Sequence, residues 1–151
     1  MFCVRRVLAV FALLCLAHMA CAFTCIYGDY LEVNNIENKK GVLMMPTTNG
    51  QYKNIKVLSK EAYQFLQNCE EVCRYAVTDV VVKSVNYRKA FTRSNLLIAD
   101  VDLNDDLALT FLVFKNKDGF LVKAPQEVVF KDKKLQKQIE VYLIKLAEKT
   151  L

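Results

Sequence analysis

From Phe23 to the C-terminus the chain runs twice through one order of elements: short alternating apolar runs broken by turn residues, then an amphipathic helical pattern. In the first pass Phe23 and Cys25 alternate with polar neighbours, Tyr27-Gly28-Asp29 can turn, and Leu31 and Val33 resume the alternation, which predicts a hairpin. Asn38-Lys39-Lys40-Gly41 is a second turn, Val42–Met45 a short strand closed by Pro46, and Tyr52–Leu58 a further extended piece. Ser59 is a suitable N-cap for a helix whose Ala62, Phe65, Leu66, Cys69, Val72 and Cys73 recur at helical spacing. The second pass begins at Val77 with a β-branched run, followed by a basic connection at Tyr87-Arg88-Lys89 and a strand over Leu96–Leu103. Next come an Asn104-Asp105-Asp106 turn, a strand over Leu107–Phe114, an Asn116-Lys117-Asp118-Gly119 turn and a short strand at Phe120–Val122. Asp132 caps a last helix with Leu135, Ile139, Tyr142, Leu143 and Leu146 as its apolar stripe.

The two passes align without gaps at an offset of 78 residues, with Asn38–Gly41 on Asn116–Gly119, and this predicts an internal duplication. The expected fold is α+β, with two small antiparallel β-sheet units over 23–75 and 76–151, each ending in an amphipathic helix. With only 4 Gly and 2 Pro in 151 residues, no linker separates the units, so they must sit close together.

Residues 1–22 admit two readings. Arg5 and Arg6 precede an uncharged stretch from Val7 to Gly28, and Ala20-Cys21-Ala22 offers a small-x-small cleavage pattern, which reads as a signal peptide and an exported, periplasmic or secreted protein. Alternatively, Val4–Val7 is the first strand of copy one in an intact cytoplasmic chain, matching Val82–Val85 in the second copy. Cleavage after Ala22 would leave Cys25, Cys69 and Cys73, an odd number that implies no disulfide framework. Cys69 and Cys73, four apart on the expected helix, are read as two small buried thiols rather than half a metal site, since the only His is His18. No metal ligand set and no cofactor motif is expected.

The second half resembles the stage V sporulation protein G (SpoVG, septation regulator) family. The residues that carry the resemblance are Val77-Thr78-Asp79-Val80 with Lys83 and Val85-Asn86, Leu103–Asp106, Gly119–Val122 with Pro125, and Phe130-Lys131-Asp132. In the first half Gly41–Pro46 and Gly50–Ile55 are similar to the family's glycine-to-proline strand and the segment after it. The resemblance implies a twisted antiparallel sheet with a C-terminal helix, here in tandem and packed as a pseudo-dimer. It also implies non-catalytic binding of DNA or RNA, with phosphate contact at Lys131, Lys133, Lys134 and Lys137, and at Lys53, Lys56 and Lys60 in the first copy. Where the family carries a basic loop after the proline, this chain has Thr47-Thr48-Asn49 and Gln126–Val129.

Read from the residues alone, Lys131, Lys134 and Lys137 fall at helical intervals of three, which suits either phosphate contact or a solvated face. A second candidate patch interleaves Tyr87, Arg88, Lys89, Phe91 and Arg93, as single-strand binders do, and also suits a hairpin connection with buried ring faces. A chain without His beyond residue 22 lacks the usual base for a Ser or Cys nucleophile, and Asp100, Asp102, Asp105 and Asp106 read as strand and turn carboxylates. The expectation is therefore no enzyme but an exported binding module. Its partner would be a protein or envelope component, with strand-mediated self-association a further expectation and a cytoplasmic nucleic-acid-binding regulator the alternative.

Overall fold

The computed structural model describes residues 21–48 and 52–151. The signal-peptide and first-strand readings of residues 1–20 lie outside the described residues. Among the described residues the protein is α+β, with two mainly antiparallel five-stranded sheets, a separate two-stranded pair and two helices.

β1 (Ala22–Tyr27) and β2 (Leu31–Lys39) form the expected hairpin, in register Tyr27 to Leu31, with Gly28 in the turn at φ +56°. A side chain at Gly28 would meet the Val77 carbonyl oxygen at 3.0 Å, so glycine is required there both by conformation and by space. β3 (Val42–Met44) folds back on the end of β2 through Lys40 and Gly41, both at positive φ. β4 (Thr47–Thr48) and β5 (Tyr52–Lys53) form a separate two-stranded pair. In the second half, β8 (Val82–Lys89), β9 (Leu96–Leu103), β10 (Leu107–Asn116) and β11 (Gly119–Lys123) form an antiparallel meander. Its β9–β10 turn rests on Asn104 and Asp105, both at φ 58°.

The strands that precede the helices do not stay with their own half. β6 (Ile55–Val57) pairs with β10 of the second half, and β12 (Val128–Phe130) pairs with β2 of the first. The two exchanges match bond for bond. Asn34 N–H donates to the Glu127 carbonyl at 2.8 Å, and Thr110 N–H donates to the Asn54 carbonyl at 2.8 Å. Lys131 N–H donates to the Tyr30 carbonyl at 2.8 Å, and Leu58 N–H to the Asp106 carbonyl at 2.7 Å. Asn54 and Glu127, which occupy equivalent places, hydrogen-bond to each other through their side chains at 2.8 Å. The hairpins Tyr27/Leu31 and Leu103/Leu107 lie 76 residues apart, and the N-caps Ser59 and Asp132 lie 73 apart. Both offsets differ from the 78 of the ungapped alignment, which separates Gly41 and Gly119, each at positive φ.

One cluster of buried side chains spans both halves, from Tyr27, Leu31 and Val33 to Leu97, Val101, Leu109 and Phe111. Alternation explains the choice of face: in β9, Leu97, Ala99, Val101 and Leu103 are all fully buried, while Asp100 and Asp102 between them point the other way. α2 (Lys133–Thr150) packs on the second sheet, with Leu135, Ile139, Leu143 and Ala147 buried. The Asp132 carboxylate caps it as expected, accepting from the N–H groups of Lys134 and Leu135.

Four local expectations are corrected. α1 (Lys60–Gln67) starts at the Ser59 cap but ends a turn early, and Val72–Tyr75 forms β7, a parallel partner of β1. Backbone bonds from Thr24 to Glu71 and from Gly28 to Tyr75 fix that strand, so an open sheet edge wins over helical spacing. Cys69 and Cys73 are not thiols on a helix face; they form a disulfide across the α1–β7 connection, with Cα atoms 5.8 Å apart. Tyr87, Arg88 and Lys89 lie inside β8 rather than in a connection, and the turn falls at Ala90–Asn95. Finally, Val128–Phe130 is a strand, where the resemblance placed a loop over Gln126–Val129.

Candidate functional site

The candidate cations belong to two separate places. Lys131, Lys133, Lys134 and Lys137 stand at the start of α2, and all four are exposed. Lys131 is already engaged, its ammonium 2.7 Å from the Glu32 carboxylate. The Asp132 carboxylate occupies the N–H groups of Lys134 and Leu135, so these two amides do not face an incoming anion. Of the first-copy lysines, Lys56 is paired with Asp100 at 2.9 Å and Lys60 opens α1 with an exposed side chain; Lys53 lies in β5.

Arg88 and Lys89 lie at the far end of β8, and Arg93 in the turn that follows it. The first half of α2 faces the start of β8, where Leu135 and Ile139 share a groove with Val82 and Val85. Its C-terminal end lies by Lys115, whose ammonium donates to the Leu151 carbonyl at 3.3 Å. Lys115 N–H in turn donates to the Asn95 carbonyl at 2.9 Å, beside the β8–β9 turn. The two cationic groups are thus separated by most of an 18-residue helix, about 27 Å long, and do not form one patch. Phe91 is 95% exposed at the tip of the β8–β9 turn, with the Arg88 guanidinium 5.3 Å from its ring centre, so the reading of ring faces buried in a connection fails for Phe91.

The acidic residues are tied into the fold. Asp106 accepts from the Tyr27 hydroxyl at 2.8 Å and from the Ser59 hydroxyl at 2.7 Å, Asp100 accepts from Thr110 at 2.6 Å, and Asp102 accepts from Asp105 N–H at 2.8 Å. Burial pushes the Asp102 carboxyl above its ordinary value. Burial, then the bond to Asp106, pushes the Tyr27 phenol far above its own. Among the described residues no group of three or more His, Cys, Asp or Glu side chains could hold a metal ion. Also among these residues, no helix is long and apolar enough to cross a membrane.

Cys25 is a free buried thiol directly opposite Cys73 in the β1–β7 register. Burial pushes its pKa from 9.0 to about 11. The unfolded thiol ionises near pH 9 while the folded one keeps its proton, so stability present below pH 9 is lost as pH rises to about 11. The full loss is about 2–3 kcal/mol. Urea midpoints measured across that window should fall less steeply for Cys25→Ala than for the natural protein; equal slopes would show that Cys25 does not set this dependence.

Sequence reasoning found the cations but missed the groove between β8 and α2. Tyr142 sits in the apolar stripe of α2 and lines this groove, yet it is 50% exposed, which the spacing alone does not reveal. No family model, curated protein or solved structure matches the chain.

Proposed function

We propose that this protein is an exported, non-catalytic binding module built from two SpoVG-like units interlocked as a pseudo-dimer. The observation that carries the reading is the Cys69–Cys73 disulfide and the strand it holds. Disulfides persist in oxidising compartments and are rare in the cytosol. This one anchors β7 on the edge of β1, the edge that in the second unit is covered on β9 by β8. Among the described residues β7 thus takes the place on β1 that β8 takes on β9, and this supports a first unit that does not depend on a strand at Val4–Val7. The matched exchange of β6 and β12, with N-caps in corresponding places, supports the pseudo-dimer. Asp100, Asp102, Asp106 and Asp132 are engaged by an ion pair, turns and a cap, which supports a binding role over acid–base chemistry at these residues.

The nucleic-acid reading is the weaker of the two. Its cations stand at opposite ends of α2, and Lys131 and Lys56 are already paired with carboxylates. The deciding experiment is the intact mass of the protein from its native cells, alkylated with and without prior reduction. The expected result is a species outside the cytoplasm that lacks residues 1–22 and whose Cys69 and Cys73 are alkylated only after reduction. A full-length cytoplasmic species with both thiols open to alkylation would overturn the proposal.

A further inference from the structure

We infer that the outer edge of β8 is a docking site for an extended acidic segment of a partner protein, which adds to the second sheet as a further strand. This rests on the reading of the chain as a binding module and names its partner class.

β8 bonds to β9 on one side, and among the described residues no strand pairs with its other side. Ala90 N–H donates to the Leu96 carbonyl at 2.9 Å, which sets the phase of the antiparallel ladder. Ser84, Asn86 and Arg88 turn their backbone groups to β9, while those of Val85, Tyr87 and Lys89 face outward. Three consecutive outward positions offer the donor and acceptor pattern that an added strand needs.

The space for its side chains is already shaped. A groove of about 380 Å³ runs between β8 and α2, lined by Val82, Val85, Val101, Leu135, Ile139 and Tyr142, with Lys83, Ser84 and Gln138 adding polar lining. A strand placed about 4.8 Å outside β8 would direct alternate side chains to the α2 side of the sheet. An apolar side chain opposite Val85 would enter this groove and cover the open flank of Tyr142.

Charge selects the occupant. From Val80 to Ala99 the chain carries Lys83, Arg88, Lys89 and Arg93 and no Asp or Glu. The carboxylates that β9 sets opposite Asn86 and Ser84 are engaged: Asp100 with Lys56 and Thr110, Asp102 with the Asp105 amide. Pairing two copies through this edge would set four cations against four, which opposes a second copy and favours an acidic segment. The same lysines guard the edge against indiscriminate pairing.

The test uses the full oxidised protein and two synthetic peptides, one alternating valine with glutamate and one alternating valine with lysine. The readout is the exchange rate of each backbone amide. The glutamate peptide should slow exchange at Val85, Tyr87 and Lys89, and the lysine peptide should not. Tyr87→Pro removes one outward N–H and leaves the bonds of Asn86 and Arg88 to β9 in place, so it should weaken peptide binding about tenfold or more. Should the proline unfold the strand, Arg88→Glu combined with Lys89→Glu tests the same edge, with an expected loss of equal size. Slowed exchange at other residues would overturn this edge while leaving the binding reading intact. Slowing at Val85, Tyr87 and Lys89 that depends on protein concentration without peptide would overturn it in favour of a second copy. So would an oligonucleotide that protects β8 where the glutamate peptide does not. Because every readout is made on purified protein, none depends on the export reading.

Discussion

Phe111→Ala should lower the unfolding free energy by about 3–5 kcal/mol, the largest effect of any single substitution considered. Phe111 is fully buried on the inner face of β10, and its ring lies 6.2 Å from that of Phe130 in a tilted pair. Phe130 belongs to β12, the strand lent to the first sheet, so this contact joins the two sheets at the point where they exchange strands. Truncation leaves a cavity that neighbouring strands, held by their ladders, cannot fill. Chemical denaturation gives the measurement: a midpoint shift at constant slope confirms a packing loss, and a cost under about 1 kcal/mol would mean that the core relaxes around the site.

Asp106→Ala should cost about 2–3 kcal/mol by a different cause. One oxygen of Asp106 accepts from the Tyr27 hydroxyl and the other from the Ser59 hydroxyl, so a single turn residue ties β1 and the cap of α1 to the β9–β10 hairpin. Tyr27 is 1% exposed, and after the substitution its hydroxyl keeps only the bond it accepts from Asn104. A buried donor stranded in this way loses its hydration without compensation. Asp106→Asn, which keeps an acceptor, should recover part of the loss. The alanine variant should also ionise Tyr27 at lower pH, because the Asp106 bond and charge both hold the phenol up. An alanine variant as stable as the natural protein would contradict this assignment.

What could be read from the sequence was local. The hairpins, both N-caps and the β9–β10 and β10–β11 turns follow from period-two alternation and turn chemistry, and the structure places them where those rules do. What could not be read was non-local. β12 is three residues long and gains its ladder only from β2, nearly a hundred residues earlier; nothing in Val128–Phe130 itself announces that partner. β7 was hidden for a related reason: Cys69, Val72 and Cys73 have helical spacing, and only the open edge of β1 makes Val72–Tyr75 a strand. Once that strand forms, Cys69 and Cys73 come within reach of each other, so the disulfide depends on the same tertiary event. The candidate site divides in the same way. Cations can be counted in a sequence, but the groove exists only because α2 lies beside an uncovered β8.

The most direct test of the interlocked architecture is native-state hydrogen exchange at the amides of Asn34 and Thr110, the equivalent donors to the two exchanged strands. If each sheet depends on a strand from the other half, neither can open alone, and both amides should exchange with one opening free energy and one denaturant dependence. If one amide exchanged through an opening about 2 kcal/mol or more below the other, the halves would be unfolding separately, and the account of a single interlocked unit would be wrong.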